Sequence, residues 1–156
     1  MSSQIPEKIK ALDFPDIEQV VLAGSGVLEL AGIRPAADID LATNLENVNH
    51  LLESDPERWH RKVHTFKRIK DGTSFQKTSV EDVDGQFDIW RHWYHAGRPV
   101  GERIISLDEL ISQSQQHKLG FYVVNLSFMM EMKASSGRPK DIEDLRRYHQ
   151  YIEWGY

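Results

Sequence analysis

VVLAGSGVLELAGIRPAADIDLAT, residues 20–43, is the stretch whose reading decides this chain. Val20 to Ala23 is a short apolar run that reads as a buried strand, bounded by Gly24-Ser25-Gly26. Val27, Leu28, Leu30 and Ala31 then recur at helical spacing until Gly32 and Pro35 stop them. Ile39 and Leu41 alternate with Asp38 and Asp40, a strand pattern that sets both acids on one face, roughly 6.5–7 Å apart along the backbone. Carboxylates so placed repel unless a positive charge lies between them, and Mg²⁺, an oxygen-seeking ion that binds through one or two carboxylates plus phosphates, is the natural filler. An isolated Asp-x-Asp is more often the solvent face of an edge strand, so the glycine turn carries weight. Glycines where a strand turns into a helix let the backbone approach a ligand closely. Residue 29 is Glu where a dinucleotide fingerprint needs its third glycine, and no Gly-Lys-Ser/Thr of a P-loop occurs.

Outward from this stretch, residues 5–12 read as a short amphipathic helix ended by Pro15, and Asn44 as the N-cap of a helix over 45–54. Trp59 to Ile69 suggests an exposed strand or hairpin arm, with Asp71-Gly72 as its turn and Ser74 to Val80 as the return. Gln86 to Trp93 reads as one further strand after the turn at Asp84-Gly85. Ser106, three residues before Glu109, has the form of a capping box and starts a helix near Leu107. Phe121 to Val124 reads as a last strand, residues 126–134 as a helix interrupted by Gly137 and Pro139, and Asp141 to Trp154 as the closing helix.

The 156 residues suit one mixed α/β domain, 1–156, without repeats or linkers. A net charge of −5 gives no overall basic field for a long polynucleotide. The absence of cysteine excludes disulfides and thiolate metal sites. The N-terminal MSSQIPEKIKALDF is charged throughout, and no apolar run approaches the roughly 20 residues of a membrane span, so the expectation is a cytoplasmic protein.

Ala23-Gly24-Ser25 and Asp38-Ile39-Asp40-Leu41, with residues 26–37 between them, together resemble the signature of the nucleotidyltransferase superfamily that includes DNA polymerase β. Lys133 and the run Gly137-Arg138-Pro139-Lys140-Asp141-Ile142-Glu143-Asp144-Leu145 resemble a segment of its small members related to abortive-infection toxins and lincosamide-modifying enzymes. With Gly32 and Arg34, the resemblance covers roughly residues 18–148. Ala36 stands where many relatives carry Thr.

The resemblance implies an α/β (α+β) fold, the minimal nucleotidyltransferase core: a mixed sheet of about five strands with helices mainly on one face. It implies Mg²⁺ or Mn²⁺ as cofactor, held by Asp38, Asp40 and a third carboxylate on a later strand. Asp88, between Phe87 and Ile89, fits that third place, and Asp82 and Asp84 are weaker rivals at a turn. The catalytic and metal set is then Asp38, Asp40 and Asp88. Gly24, Ser25, Arg34 and Lys133 are the nucleotide-binding candidates. The activity implied is transfer of an NMP from an NTP such as ATP to a hydroxyl of a small molecule, tRNA or protein. A toxin-like enzyme with an antitoxin-type partner, or a non-catalytic NTP-binding regulator, is the alternative.

Other residues weigh less. Asp141 and Asp144 suit pairing around the last helix better than metal binding, and Lys140 is a weaker phosphate candidate than Lys133. His92 and His95 face opposite sides of a strand, which argues against zinc there. Trp59, Phe66, Trp90, Trp93 and Tyr94 read mainly as core, with one or two free to stack a base. Arg58, His60, Arg61, Lys62, Lys67, Arg68 and Lys70 form the basic cluster, read as a solvated face before an RNA track.

Overall fold

In the computed structural model, residues 3–67, 71–91, 93–95, 103–136 and 138–154 are described. Helix α1 (Ile5–Lys10) and a 3₁₀ turn (Ile17–Gln19) lead into β1 (Val20–Ala23), α2 (Ser25–Leu30), β2 (Ile39–Thr43) and α3 (Leu45–Ser54). A long hairpin of β3 (Trp59–Lys67) and β4 (Ser74–Asp82) follows, then β5 (Phe87–Trp90), β6 (Trp93–His95), β7 (Arg103–Ile105) and α4 (Leu107–Ser112). The chain closes with β8 (Ser114–Gln116), β9 (Tyr122–Val124), α5 (Leu126–Ser136) and α6 (Pro139–Trp154).

Seven strands form one open mixed sheet in the order β3-β4-β5-β2-β1-β9-β8, and β6 pairs β7 apart from it. The mixed α/β class agrees with the sequence, but the expected strand number of about five is too low. The single strand expected over 86–93 is broken at residue 91, and β7 and the polar Ser114-Gln115-Gln116 of β8 carry no alternating apolar pattern. Such three-residue strands are specified by their neighbours: β8 is a strand because β9 supplies backbone partners for it.

Register divides the sheet into two unlike faces. Leu22, Leu41, Ile89 and Val80 are matched across β1, β2, β5 and β4, and all four are buried. The alternate positions carry Ala23, Asp40, Asp88, Glu81 and His60, matched in the same way across β1, β2, β5, β4 and β3. One face is therefore the hydrophobic core, and the other presents a row of polar groups from β2 to β3, while Val21, Ala23 and Ala42 bury it at β1 and the far end of β2.

Gly26 packs α2 against this core: a Cβ there would meet Leu22 at 2.7 Å and Ile5 at 3.5 Å. Asn44 caps α3 by accepting from the Asn47 amide, and Ser106 caps α4 by accepting from that of Glu109. Buried Asn47 accepts from the Asp16 amide and donates to the Asp16 carbonyl and the Thr43 hydroxyl, tying α3 to the entry of β1.

Candidate active site

Asp40 and Asp88 are register partners on the parallel strands β2 and β5, so their side chains rise side by side from the polar face. Asp38 is not on the strand as the alternation suggested: β2 begins at Ile39, whose amide donates to the Gln86 carbonyl at 2.7 Å. Asp38 thus stands at the mouth of β2, and its charge still reaches both neighbours. Burial, then repulsion from Asp38 and Asp88, pushes the Asp40 carboxyl up to about 8. Burial also raises Asp88, opposed by a hydrogen bond from Ser79, with Glu81 and Asp38 adding repulsion.

The glycine turn meets this group directly. Gly24 has φ 66° and ψ −149°, a conformation open in practice to glycine alone. A Cβ on it would lie 2.5 Å from Oδ2 of Asp40. Ser25, buried, opens α2 next to it.

These residues fit a divalent cation. Among the described residues no Lys or Arg pairs with Asp40 or Asp88, and Oδ1 of Asp88 is buried without a hydrogen-bond partner. Clustered carboxylates without an ion-pair partner are the donor set that Mg²⁺ or Mn²⁺ takes.

The two cationic candidates are engaged in a buried network behind the acids. Arg34 donates to both carboxylate oxygens of Asp144, at 2.6 and 2.9 Å. Lys133, buried on α5, lies 2.9 Å from Asp144 and 3.2 Å from Asp141, and Arg138 pairs with Asp141 at 2.8 Å. Burial works against ionisation of Asp144, but hydrogen bonds from Arg34 and Lys133 win and hold it down at about 2. Asp141 and Asp144 are thus pairing residues around α6, as the sequence suggests. Both Lys133 and Lys140 act on Asp40 through their charge, which places this end of α5 and α6 near the acids.

Asp82 has a structural part: its Oδ1 accepts the amides of Gln86 and Phe87, closing the β4–β5 turn, and Arg58 lies 3.7 Å from its other oxygen. Trp59 is core. Trp90 lies on the polar face, with the His64 ring 4.7 Å away and Lys77 5.9 Å over its own ring. His92, Arg68, Lys70 and Gly137 lie outside the described residues, as do the side chains of Phe66, Trp93, Tyr94 and His95. An open cleft of about 580 Å³ runs from α1 to the 32–39 loop, lined by Lys8, Glu29, Arg34, Asp38 and Gln86 among others. It reaches the acids only at Asp38.

Sequence reasoning missed His64 and Glu81. Both carry ligand atoms within 4.8 Å of each other and of Asp88. Glu81 is matched to Asp88 across strands, a pairing that no local motif announces.

Among the described residues, no helix is long and apolar enough to cross a membrane. No family model matches the chain, and no curated protein matches it. It is similar at 14% identity to JHP933 from Helicobacter pylori, known from a crystal structure, over 100% of this chain and 71% of that one. The TM-score of that match is 0.48.

Proposed function

We propose that this chain is a metal-dependent nucleotidyltransferase that moves an NMP from an NTP to a hydroxyl acceptor. The observation that carries the reading is the convergence of Asp38, Asp40 and Asp88 at one point of the sheet, with the Gly24 backbone against Asp40. Asp38 and Asp40 would hold Mg²⁺ or Mn²⁺, with Asp88 completing the set. Bound there, the ion supplies neutralisation of the triphosphate and of the leaving pyrophosphate. Gly24 leaves room for the Asp40 carboxylate against the backbone, and a triphosphate on the ion would lie beside the backbone of Gly24 and Ser25. Arg34 and Lys133 contribute positive potential from inside their ion-pair network. Asp88 stands on the acceptor side and takes the hydroxyl proton as the acceptor oxygen bonds to the α-phosphorus and the bond to pyrophosphate breaks.

The experiment is incubation of the purified chain with radiolabelled NTPs, Mg²⁺ and cell extract, read for labelled RNA, protein or small molecules. Transfer by wild type and none by the Asp38→Ala, Asp40→Ala double variant supports the reading. Metal-dependent NTP binding without any labelled product would instead make the chain a nucleotide-binding regulator.

A further inference from the structure

The polar face continues past Asp88. Asp40, Asp88 and Glu81 are matched across β2, β5 and β4, three carboxylates in one row, and His64 on β3 closes on the far end of it. Donor atoms of His64, Glu81 and Asp88 all lie within 4.8 Å of one another. We infer that His64, Glu81 and Asp88 form a second metal site, built for a transition dication, with Zn²⁺ the best match, rather than for Mg²⁺.

Four observations carry this. Oδ1 of Asp88 is buried and has no hydrogen-bond partner, which costs free energy unless another group satisfies it. Ser79, 1% exposed, lies 2.8 Å from Nε2 of His64, so a buried hydroxyl orients the imidazole. Orienting partners of this kind typically accompany metal ligands. An ion with bonds near 2.1 Å sets its donors roughly 3–4 Å apart, so the three side chains need to close by only about 1 Å. The donor set itself speaks to the metal: one imidazole favours zinc over magnesium, and three protein ligands leave a position open for water or substrate.

The site lies on the side of Asp88 away from Asp40, and Asp88 is common to both groups. It does not depend on nucleotidyl transfer, because the ion would bind without any nucleotide.

The test is calorimetric titration of the metal-free full chain with Zn²⁺, in excess Mg²⁺ and without NTP. We expect one Zn²⁺ per chain, at least tenfold weaker in His64→Asn and in Glu81→Gln, and within threefold of wild type in Asp38→Asn. Wild-type affinity in both His64→Asn and Glu81→Gln would overturn the assignment, as would loss confined to Asp38→Asn. A second measurement reads the imidazole directly and leaves His64 in place. Wild type labelled with ¹⁵N-histidine should show one imidazole shifting on Zn²⁺ addition, with the same shift abolished by Ser79→Ala or Glu81→Gln but not by Asp38→Asn. A Zn²⁺ response unaffected by any of these substitutions places the ion elsewhere and sinks the proposal. Because no nucleotide is present, failure of the transferase reading leaves these results unchanged.

Discussion

Oδ2 of Asp40 lies 2.5 Å from the point that a Cβ on Gly24 would occupy, at a backbone φ of +66°. The glycine turn and the central acid are therefore one structural unit, and Gly24 is needed twice, for its conformation and for its missing side chain. Gly24→Ala should lower stability by on the order of 1–3 kcal/mol through strain. It should also displace the Asp40 carboxylate, so that Mg²⁺ no longer raises the melting temperature. Thermal melts with and without Mg²⁺ read both effects. A variant that keeps the full Mg²⁺ response would detach the glycine from the site.

The Asp40 carboxyl gives a pH signature. Its folded-state value near 8 is above the ordinary 3.8, so the folded chain binds more protons between those limits. Stability of the metal-free protein should fall as pH rises through roughly 4 to 8. A cation competes with that proton, so the melting shift caused by Mg²⁺ should grow from pH 6 to pH 8. Asp40→Asn should flatten both trends, as melting curves across pH would show.

Asp88 separates binding from chemistry. If it serves the acceptor hydroxyl, Asp88→Asn should abolish transfer and leave NTP affinity within about tenfold, or 1.4 kcal/mol. Calorimetry and a transfer assay on the same preparation check this. Equal loss of binding and transfer would assign the residue to the triphosphate side instead.

Asp144 holds Arg34 and Lys133 together in a buried setting. Asp144→Ala should cost about 3 kcal/mol, the low end for a broken buried pair, because Lys133 retains Asp141. Its folded-state value of about 2 lies below the ordinary 3.8, so the contribution is complete above about pH 4 and lost as pH falls toward 2. Denaturant unfolding at pH 7 and pH 3 should show the wild-type advantage over the variant shrinking at the lower pH.

Much of this was legible in the residues themselves. Val20–Ala23, the helix after the glycine turn, the Asn44 and Ser106 caps and the turns at Gly72 and Gly85 are local features, set by periodicity, side-chain hydrogen bonds and backbone freedom. The candidacy of Asp38 and Asp40 came from a local pattern, and that of Asp88 from the family resemblance, which calls for a third carboxylate on a later strand. What no local pattern holds is register. The order β5-β2-β1 sets Asp88 beside Asp40, and the pairing of β4 with β5 adds Glu81 to the same row. The partners of Arg34 and Lys133 were likewise decided by packing, since Asp144 lies 110 residues from Arg34. Side-chain type states what chemistry is available, but which charges meet depends on long-range strand pairing and helix docking, and those are properties of the assembled chain.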